Sequence, residues 1–283
     1  MNSAPKRFPI LRSILHLGIS LTTLKLAVTA ASMTRAWLRP SCLWVLKRFE
    51  RNGRIWLRFR YPRGTHRVAM RLPDLESDFC SVRELMVEQI YRVPPGFVPT
   101  LALDGGGNIG LFTLWALGAY PGVRVLICEP VPRNIAQIRE HLAVNGVDAQ
   151  VFAGCLGGAP RKIPFFCREA NQGSFDGQQP YDSVVEVPVV TLDGLIAGSG
   201  DNSLLIKLDI EGMEIEALES FVRTQEQRQI CVVGELHDHK ANKTRLQEIF
   251  ERSGWTISFF DETDPGSIFQ ACSPQLQRIG RVT

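Results

Sequence analysis

The sequence has no cysteine pattern that would hold a zinc ion or a disulfide framework. Its 283 residues contain seven cysteines, an odd number, without a C-x-x-C pair and without histidines at zinc-binding spacing. Cys128 and Cys231 lie within apolar runs, where a free cysteine behaves as a small core residue. These absences favour a reduced, cytoplasmic compartment for the protein.

A long apolar run is also missing. The stretch from Leu15 to Met33 is fairly apolar, but His16 and Lys25 interrupt it, and it lacks the small-residue cleavage site of a signal peptide. It is too polar to be assigned as a membrane span. Because its apolar residues recur at helical spacing, we predict an amphipathic helix that lies on the domain, which is the more common arrangement, or on a membrane surface.

Acidic residues are scarce in the N-terminal part of the chain. Residues 1–71 contain fifteen lysines and arginines but a single acid, Glu50, whereas acids outnumber bases by 23 to 15 from Thr100 onward. This asymmetry favours either an anionic neighbour, such as a phospholipid membrane, nucleic acid or a phosphorylated substrate, or a solvated surface without a partner. We predict a basic extension over residues 1–80, with the amphipathic helix and a small β lead-in, and then one domain over residues 81–283.

The most informative stretch that is present covers residues 100–119, TLALDGGGNIGLFTLWALGA. A short apolar run ends at Asp104, three glycines follow, and Asn108 opens a helical pattern. A strand that ends on glycines and continues as a helix is typical of the mononucleotide-binding half of a Rossmann-like fold. The start of such a helix presents free N–H groups to an anionic part of a ligand.

Strand and helix patterns alternate in the rest of the chain. Apolar runs predict strands at residues 124–128, 150–153, 161–166, 184–190, 204–208, 230–233, 256–260 and 267–271. Helices are predicted at residues 82–91 and 132–145, from Gly212 to about residue 224, and in a segment that ends at Gly254. This alternation indicates a mostly parallel sheet, and the two final strands, which no helix separates, indicate one antiparallel strand. The polar loop at residues 169–182 is a candidate lid or substrate segment.

The glycine loop fits the G-x-G-x-x-G pattern, which binders of nicotinamide, flavin and S-adenosylmethionine cofactors can all show. Asp104 would repel a pyrophosphate but can pair with the amino group of S-adenosylmethionine. Glu129 ends the second strand and can accept hydrogen bonds from ribose hydroxyls, although NAD-binding proteins place an acid there too. S-adenosylmethionine is therefore the favoured cofactor. The residues predicted to contact it are Asp104, Gly105, Gly106, Gly107, Asn108, Gly110, Glu129, Pro130, Cys155 and Asp209.

Four segments, in this order and spacing, resemble the FkbM-type methyltransferases: LDGGGNIGLFTL, ICEPVPRNIAQIREHLAVNG, VPVVTLDGLI and LLIKLDIEGMEIEAL. The similarity covers roughly Leu101 to Cys272, and it departs from the family at Gly106-Gly107, where a single glycine followed by alanine is usual. The resemblance implies an α/β, Rossmann-like class I methyltransferase fold with a mostly parallel seven-stranded sheet and an antiparallel last strand. It also implies S-adenosylmethionine-dependent methylation, most often on a hydroxyl of a sugar, glycolipid or secondary metabolite, so that the expected partner is a small-molecule or glycan acceptor.

Three acids and a histidine follow the predicted strands at residues 204–208 and 230–233, the fourth and fifth strands of this sheet. Ligands bind at the carboxyl ends of strands in such folds. They are the predicted catalytic residues Asp209, Glu211, Glu235 and His237. Asp209 can act as a base or orient the acceptor hydroxyl, or else it caps the next helix, as Glu211 can. His237 has the pKa range of a general base, or else it is a surface loop histidine, and Glu235 can support His237 or bind substrate. Asp209 and Glu235 could hold a divalent ion, but no third ligand is evident, and we therefore predict no metal site.

Three other functions stay open at the level of sequence. Enzymes that methylate base amino groups usually carry a Pro-Pro-aromatic tetrapeptide after the fourth strand, where residues 209–212 here read DIEG. A nucleic-acid partner is therefore disfavoured, although methylation of an RNA ribose hydroxyl is an alternative. The others are an NAD-dependent oxidoreductase and a scaffold that binds the cofactor without turnover. We expect a cytoplasmic protein, and we hypothesise peripheral membrane contact through its basic N-terminus.

Overall fold

The computed structural model of the chain describes residues 49–50, 54–61, 64–71, 73–167, 173–174, 181, 183–225, 227–260 and 266–280. The amphipathic helix predicted between residues 10 and 33 lies outside the described residues. So does most of the polar loop predicted at residues 169–182.

Strands and helices alternate through most of these ranges, as the apolar pattern predicts. The strands are β1 (Phe49–Glu50), β2 (Arg54–Tyr61), β3 (Gly64–Arg71), β4 (Leu101–Gly105), β5 (Arg124–Glu129), β6 (Gln150–Ala153), β7 (Cys155–Leu156), β8 (Arg161–Cys167), β9 (Gly173–Ser174), β10 (Ser183–Val190), β11 (Ser203–Leu208), β12 (Gln229–Leu236), β13 (Thr256–Phe260) and β14 (Ser267–Cys272). The helices are α1 (Leu75–Val82), α2 (Leu111–Ala119), α3 (Pro132–Asn145), α4 (Leu192–Ile196), α5 (Glu214–Thr224), α6 (His239–Arg252) and α7 (Pro274–Gly280), with a π-helical segment at Arg83–Glu88 after α1. None of the described helices is both long and apolar enough to cross a membrane.

Seven of these strands form the central sheet, in the order β13-β14-β12-β11-β4-β5-β6. Pairing is parallel from β12 through β6, and β14 runs antiparallel to both of its neighbours. The prediction of a mostly parallel seven-stranded sheet with an antiparallel last strand is confirmed. Because β4 lies at the centre of the parallel part, the glycine turn that follows it opens at the middle of the carboxyl edge.

The central strands are apolar on both faces because helices cover both sides of a parallel sheet. In β11, Leu204 and Ile206 pack in one buried cluster with Phe250, and the intervening Leu205 packs in another with Phe112. Successive side chains of a strand point to opposite faces, so these two clusters are the two halves of the core. This packing fixes the strand ends, and with them the residues that follow.

A smaller sheet of order β7-β10-β8-β9 lies beside the carboxyl edge. The predicted strands at residues 161–166 and 184–190 form its antiparallel pair, β8 and β10. Cys155 and Leu156 in β7 pair in parallel with the end of β10. Cys155, Phe165 and Val189 share a buried cluster, so this small sheet places β7 and β8 near the end of β5.

The hairpin of β2 and β3 is fastened to helices α2 and α3. His66 Nδ1 lies 2.9 Å from the carbonyl oxygen of Leu114 in α2. The backbone N–H of Ala69 donates to Nε2 of His141 in α3 at 2.9 Å, and His141 Nδ1 bonds to the Ile109 carbonyl oxygen at 2.7 Å. His141 therefore links the hairpin to the loop that carries the glycines.

The helix between the hairpin and the glycine turn starts earlier than the sequence predicts. It spans Leu75–Glu88, including its π-helical end, whereas the apolar pattern predicts residues 82–91. Its first turns contain weak helix formers such as Asp78, whose carboxylate is instead bound by the backbone N–H and the guanidinium of Arg71 at 2.7 and 2.8 Å. The predicted domain boundary between residues 80 and 81 falls within this helical segment.

Candidate active site

A cavity of about 570 Å³ opens at the carboxyl ends of β4, β5, β11 and β12. It brings together most of the predicted site residues, namely Gly106, Asn108, Glu129, Pro130, Cys155, Asp209, Glu211, Glu235 and His237. Asp104, Gly105, Gly107 and Gly110 do not line this cavity and lie beneath or behind the turn. The cavity therefore has two sides, a glycine-turn side after β4 and β5 and an acidic side after β11 and β12.

The glycine turn is packed too tightly for side chains. Gly106 has φ +74°, and a Cβ atom placed on it would lie 1.9 Å from the backbone oxygen of Asp209. A Cβ atom on Gly107 would lie 2.5 Å from Ile127 Cγ2. Such distances are far below van der Waals contact, so the turn needs glycine to approach the end of β11. The backbone N–H groups of Gly106 and Gly107 both donate to the Cys128 carbonyl oxygen, which ties the turn to β5.

Asp104 lies under the turn and holds Lys207. Its side chain is fully buried and accepts a hydrogen bond of 2.8 Å from Thr113 Oγ1. Lys207 Nζ lies 3.7 Å from its other oxygen, which has no hydrogen-bond partner among the described residues. Burial raises the pKa of Asp104, and the Lys207 charge opposes that rise. The predicted contact of Asp104 with the cofactor stays a prediction, since the carboxylate borders only a smaller adjoining cavity of about 40 Å³.

Glu129 and Asn108 form the wall of the glycine-turn side. Glu129 accepts hydrogen bonds from the backbone N–H of Asn108 at 2.8 Å, the backbone N–H of Val131 at 2.9 Å and Asn134 Nδ2 at 3.2 Å. Burial raises the pKa of Glu129 to about 7, against the lowering effect of these donors. Asn108 Oδ1 is buried and has no hydrogen-bond partner in the described part of the chain. It is an acceptor available to a ligand in the cavity.

On the acidic side, two groups hold one oxygen of Asp209. Lys207 Nζ lies 3.4 Å from Asp209 Oδ2, and Tyr91 Oη donates to the same oxygen at 3.4 Å. Lys207 Nζ also donates to the Gly106 carbonyl oxygen at 2.6 Å, so it connects the two sides of the cavity. Among these, Tyr91 comes from the segment before β4 and had no sequence signal as a site residue.

Glu214, which the sequence did not identify as a site residue, organises the rest of the acidic side. Glu214 is the first residue of α5, and its Oε1 accepts hydrogen bonds from the backbone N–H groups of Ile210 and Gly212 in the preceding loop, both at 3.2 Å. The capping role considered for Asp209 and Glu211 is not observed, and the N-cap residue of α5, Met213, makes no side-chain capping hydrogen bond. Glu214 instead fixes the loop that precedes α5. An acid in the first turn of a helix was a signal that could have indicated this role.

The same Glu214 oxygen lies 3.0 Å from Nδ1 of His237. The other ring nitrogen, Nε2, lies 3.7 Å from Glu211 Oε2 and 4.0 Å from Asp209 Oδ1. Although burial lowers the pKa of His237, the hydrogen bond and charge of Glu214, with the charges of Asp209 and Glu211, raise it to about 10. Burial and the Asp209 charge also raise the pKa of Glu235. The acidic side therefore combines four carboxylates around one imidazole.

The sheet order, the antiparallel β14 and the glycine turn after the central strand define a class I methyltransferase fold. A family model described as the Methyltransferase FkbM domain matches residues 104–264, more than half of the chain. The chain belongs to the FkbM methyltransferase family.

The sequence identity between the chain and individual known proteins is modest. It is 26% identical to Methyltransferase 1 of Beauveria bassiana over 208 residues, 65% of this chain and 83% of that protein. It is 32% identical over 116 residues, 39% of this chain, to the AMB antimetabolite synthetase AmbE of Pseudomonas aeruginosa, of which the match covers 5%. The structure of an FkbM methyltransferase from Methylobacillus flagellatus KT covers 62% of this chain at 18% identity with a TM-score of 0.42, and this chain spans 43% of that one.

Proposed function

We propose that the protein is an S-adenosylmethionine-dependent O-methyltransferase that acts on a hydroxyl of a sugar, glycolipid or secondary metabolite. Membership of the FkbM family supports methyl transfer. The observation that carries the rest is the two-sided cavity, in which a glycine turn with Glu129 faces a cluster of carboxylates around His237. One side suits a nucleoside cofactor, and the other suits a neutral acceptor with hydroxyl groups.

The glycine-turn side fits S-adenosylmethionine. Gly106 brings bare backbone to the cavity wall, Glu129 borders the cavity as a hydrogen-bond acceptor, and Asn108 Oδ1 is a buried acceptor without a partner among the described residues. The hydroxyl and amino groups of such a cofactor can donate hydrogen bonds to these oxygens. Pro130 and Cys155 complete this wall beside the Glu129 carboxylate.

When bound, the cofactor supplies a sulfonium methyl group to the acceptor oxygen, and the electron pair of the broken S–C bond stays on sulfur. The chain supplies orientation of the acceptor and removal of its proton. We assign the orienting role to Asp209, because Lys207 and Tyr91 hold its Oδ2 and leave Oδ1 facing the cavity. Glu211 is the most exposed carboxylate of the acidic side, with 47% of its side chain accessible, and can pass the proton to solvent.

The charge of the cavity supports a neutral acceptor. Its walls carry the carboxylates of Glu84, Glu129, Asp209, Glu211 and Glu235, with His237 as the one histidine among its lining residues. Such a wall repels phosphates, which argues against RNA and against phosphorylated acceptors. A hydroxyl-rich neutral acceptor instead donates hydrogen bonds to carboxylate oxygens.

Labelled product analysis tests this function. Purified full-length protein is incubated with methyl-labelled S-adenosylmethionine and a panel of saccharides, glycolipids, phenolic metabolites and RNA. We expect an O-methyl product from a neutral hydroxyl acceptor, lost in Asp209→Asn and retained in Glu248→Gln, a matched change on the exposed face of α6. Methylation of RNA alone, or binding of NAD in place of S-adenosylhomocysteine, would contradict the proposal.

We also propose that the basic N-terminal region contacts an anionic membrane surface. In the described hairpin, Arg58, Arg60 and Arg67 are exposed, and Arg58 lies opposite Arg67 in the β2–β3 pairing. Arg67 also stacks on Trp56, with its guanidinium carbon 5.0 Å from the ring centroid. Trp56 itself is buried, so the exposed arginines are the groups of this hairpin that suit anionic lipid headgroups.

A further inference from the structure

The acidic side of the cavity places three metal-binding side chains together. One carboxylate oxygen each from Asp209 and Glu235 and one ring nitrogen of His237 all lie within 4.8 Å of one another. Sequence alone gave the two carboxylates and no third donor, which is why it predicted no metal. We propose that Asp209, Glu235 and His237 bind a divalent cation of the Mg²⁺ or Mn²⁺ class.

His237 is oriented as metal-binding histidines usually are. Such a histidine commonly donates its other ring N–H to a carboxylate, which fixes the tautomer and the direction of the ligating nitrogen. Glu214 plays this part here, 3.0 Å from Nδ1, so Nε2 faces Glu211 Oε2 at 3.7 Å and Asp209 Oδ1 at 4.0 Å. Glu214 is itself fully buried and fixed by the backbone N–H groups of Ile210 and Gly212.

The orientation of Asp209 is also fixed, by neighbours other than those that hold His237. Its Oδ2 receives Tyr91 Oη and the ammonium group of Lys207, each at 3.4 Å. Its Oδ1 is left on the side of His237, 4.0 Å from Nε2. Two independent sets of neighbours therefore direct an oxygen and a nitrogen donor toward the same point.

The negative charge of the carboxylates around the three ligands also favours the binding of a cation. In the described part of the chain, Lys207 and His237 are the basic groups within 4 Å of the carboxylates of Asp209, Glu211 and Glu214, and His237 gives up its Nε2 proton, with its positive charge, when that nitrogen binds a metal ion. Oε2 of Glu214 is buried with no hydrogen-bond partner among the described residues. Buried carboxylate charge without compensation is costly, and a divalent ion offsets it.

The donor set suits a hard ion with open positions. Oxygen ligands favour Mg²⁺ and Mn²⁺, whose octahedral bonds of about 2.1 Å place donors roughly 3 to 4 Å apart. The three donor atoms lie within 4.8 Å of one another, so they must move somewhat closer together to reach that range. Three protein ligands leave positions for water or an acceptor hydroxyl, whose pKa a bound cation lowers. This last consequence rests on the proposed function, whereas ion binding itself does not.

Titration of the full-length protein with Mn²⁺, followed by electron paramagnetic resonance, tests the site. We expect saturable binding by the wild type and a loss of affinity of about tenfold or more in Glu235→Gln, His237→Gln and Glu214→Gln. Glu84→Gln is the matched control, because it removes a carboxylate from the same cavity outside the three ligands. We expect its affinity to change by less than about threefold.

Two results would overturn the metal site. One is the absence of saturable Mn²⁺ binding at millimolar concentration, and the other is an equal loss in Glu84→Gln and Glu235→Gln, which would indicate diffuse attraction. S-adenosylhomocysteine binding, measured on each sample, reports folding of the variants and separates the two proposals. Cofactor binding without Mn²⁺ binding overturns the metal site alone, and Mn²⁺ binding without cofactor binding overturns the proposed function alone.

Discussion

Glu129 and Asp209 follow strands at the same edge of the sheet, yet their surroundings differ. Glu129 is 3% exposed, and two backbone N–H groups and a side-chain amide bind its carboxylate at 2.8 to 3.2 Å. The Asp209 side chain is 34% exposed, and Lys207 and Tyr91 hold one of its oxygens at the longer distance of 3.4 Å. The first carboxylate is built to keep its position, whereas the second keeps an oxygen free for a ligand. This contrast separates the cofactor side of the cavity from the acidic side.

Gly106 joins the two sides, and its substitution has the largest expected effect. In Gly106→Ala the new Cβ atom meets the Asp209 backbone oxygen, so we expect a loss of about 3 kcal/mol or more in the free energy of unfolding. Binding of S-adenosylhomocysteine should fall below detection. Gly146→Ala is the control, since φ is also positive there but no atom lies within 4 Å, and it should cost about 1 kcal/mol. Equal effects of the two changes in denaturant unfolding would contradict the tight turn.

Asp209→Asn tests the acidic side alone. The change keeps the shape of the side chain but removes its charge, so we expect the turnover number to fall about 100-fold. The affinity for S-adenosylhomocysteine should fall less than it does in Glu129→Gln. Single-turnover assays on an identified acceptor, together with calorimetric titration, measure the two quantities. If Asp209→Asn kept its turnover number but lost its affinity for S-adenosylhomocysteine, the roles assigned to the two sides of the cavity would be wrong.

Buried His141, which bonds the loop that carries the glycines, makes the free energy of unfolding depend on pH. Burial lowers the pKa of His141 to about 4, and its neutral ring bonds Ala69 and Ile109. The unfolded chain takes up the proton first, near pH 6.5, so stability is complete above that pH and is lost as pH falls toward 4. We expect a loss of about 2 kcal/mol between pH 7 and 4.5 from this group.

Denaturant unfolding at the two pH values checks this prediction, with His141→Gln as the comparison. The variant should be less stable at pH 7 and should show a smaller loss of stability on acidification. An unchanged pH dependence in the variant would mean that other groups, such as buried His66, account for it.

The smallest expected effect concerns the hairpin, which lies outside both sides of the cavity. Arg58→Gln should weaken binding to vesicles that contain anionic lipid by about 1 kcal/mol, roughly fivefold, and should leave cofactor affinity unchanged. Arg252→Gln removes another exposed charge, from α6, and should have no effect on vesicle binding. Vesicle co-sedimentation at low and high salt measures both. Equal effects of the two variants would remove the hairpin from the proposed membrane contact.

The local features of the fold could be predicted from the sequence because they rest on short-range patterns. The apolar runs of the parallel strands and the glycines at residues 105–107 are of this kind. Contacts between distant segments could not be predicted. Glu214 meets His237 across 23 residues because β11 and β12 end side by side, and Tyr91 meets Asp209 across 118 residues because its ring packs against Phe112 of α2. The start of α1 was missed because its polar first turns do not follow an apolar period.

The central claim is that Glu129 belongs to a cofactor site for S-adenosylmethionine. Calorimetric titration of the wild type, Glu129→Gln and Glu248→Gln with S-adenosylhomocysteine tests it most directly. We predict saturable binding by the wild type and by Glu248→Gln, and an affinity about tenfold lower in Glu129→Gln, because a carboxylate acceptor for ribose hydroxyls is replaced by an amide. Absence of binding by the wild type, or equal affinities in all three proteins, would contradict the account.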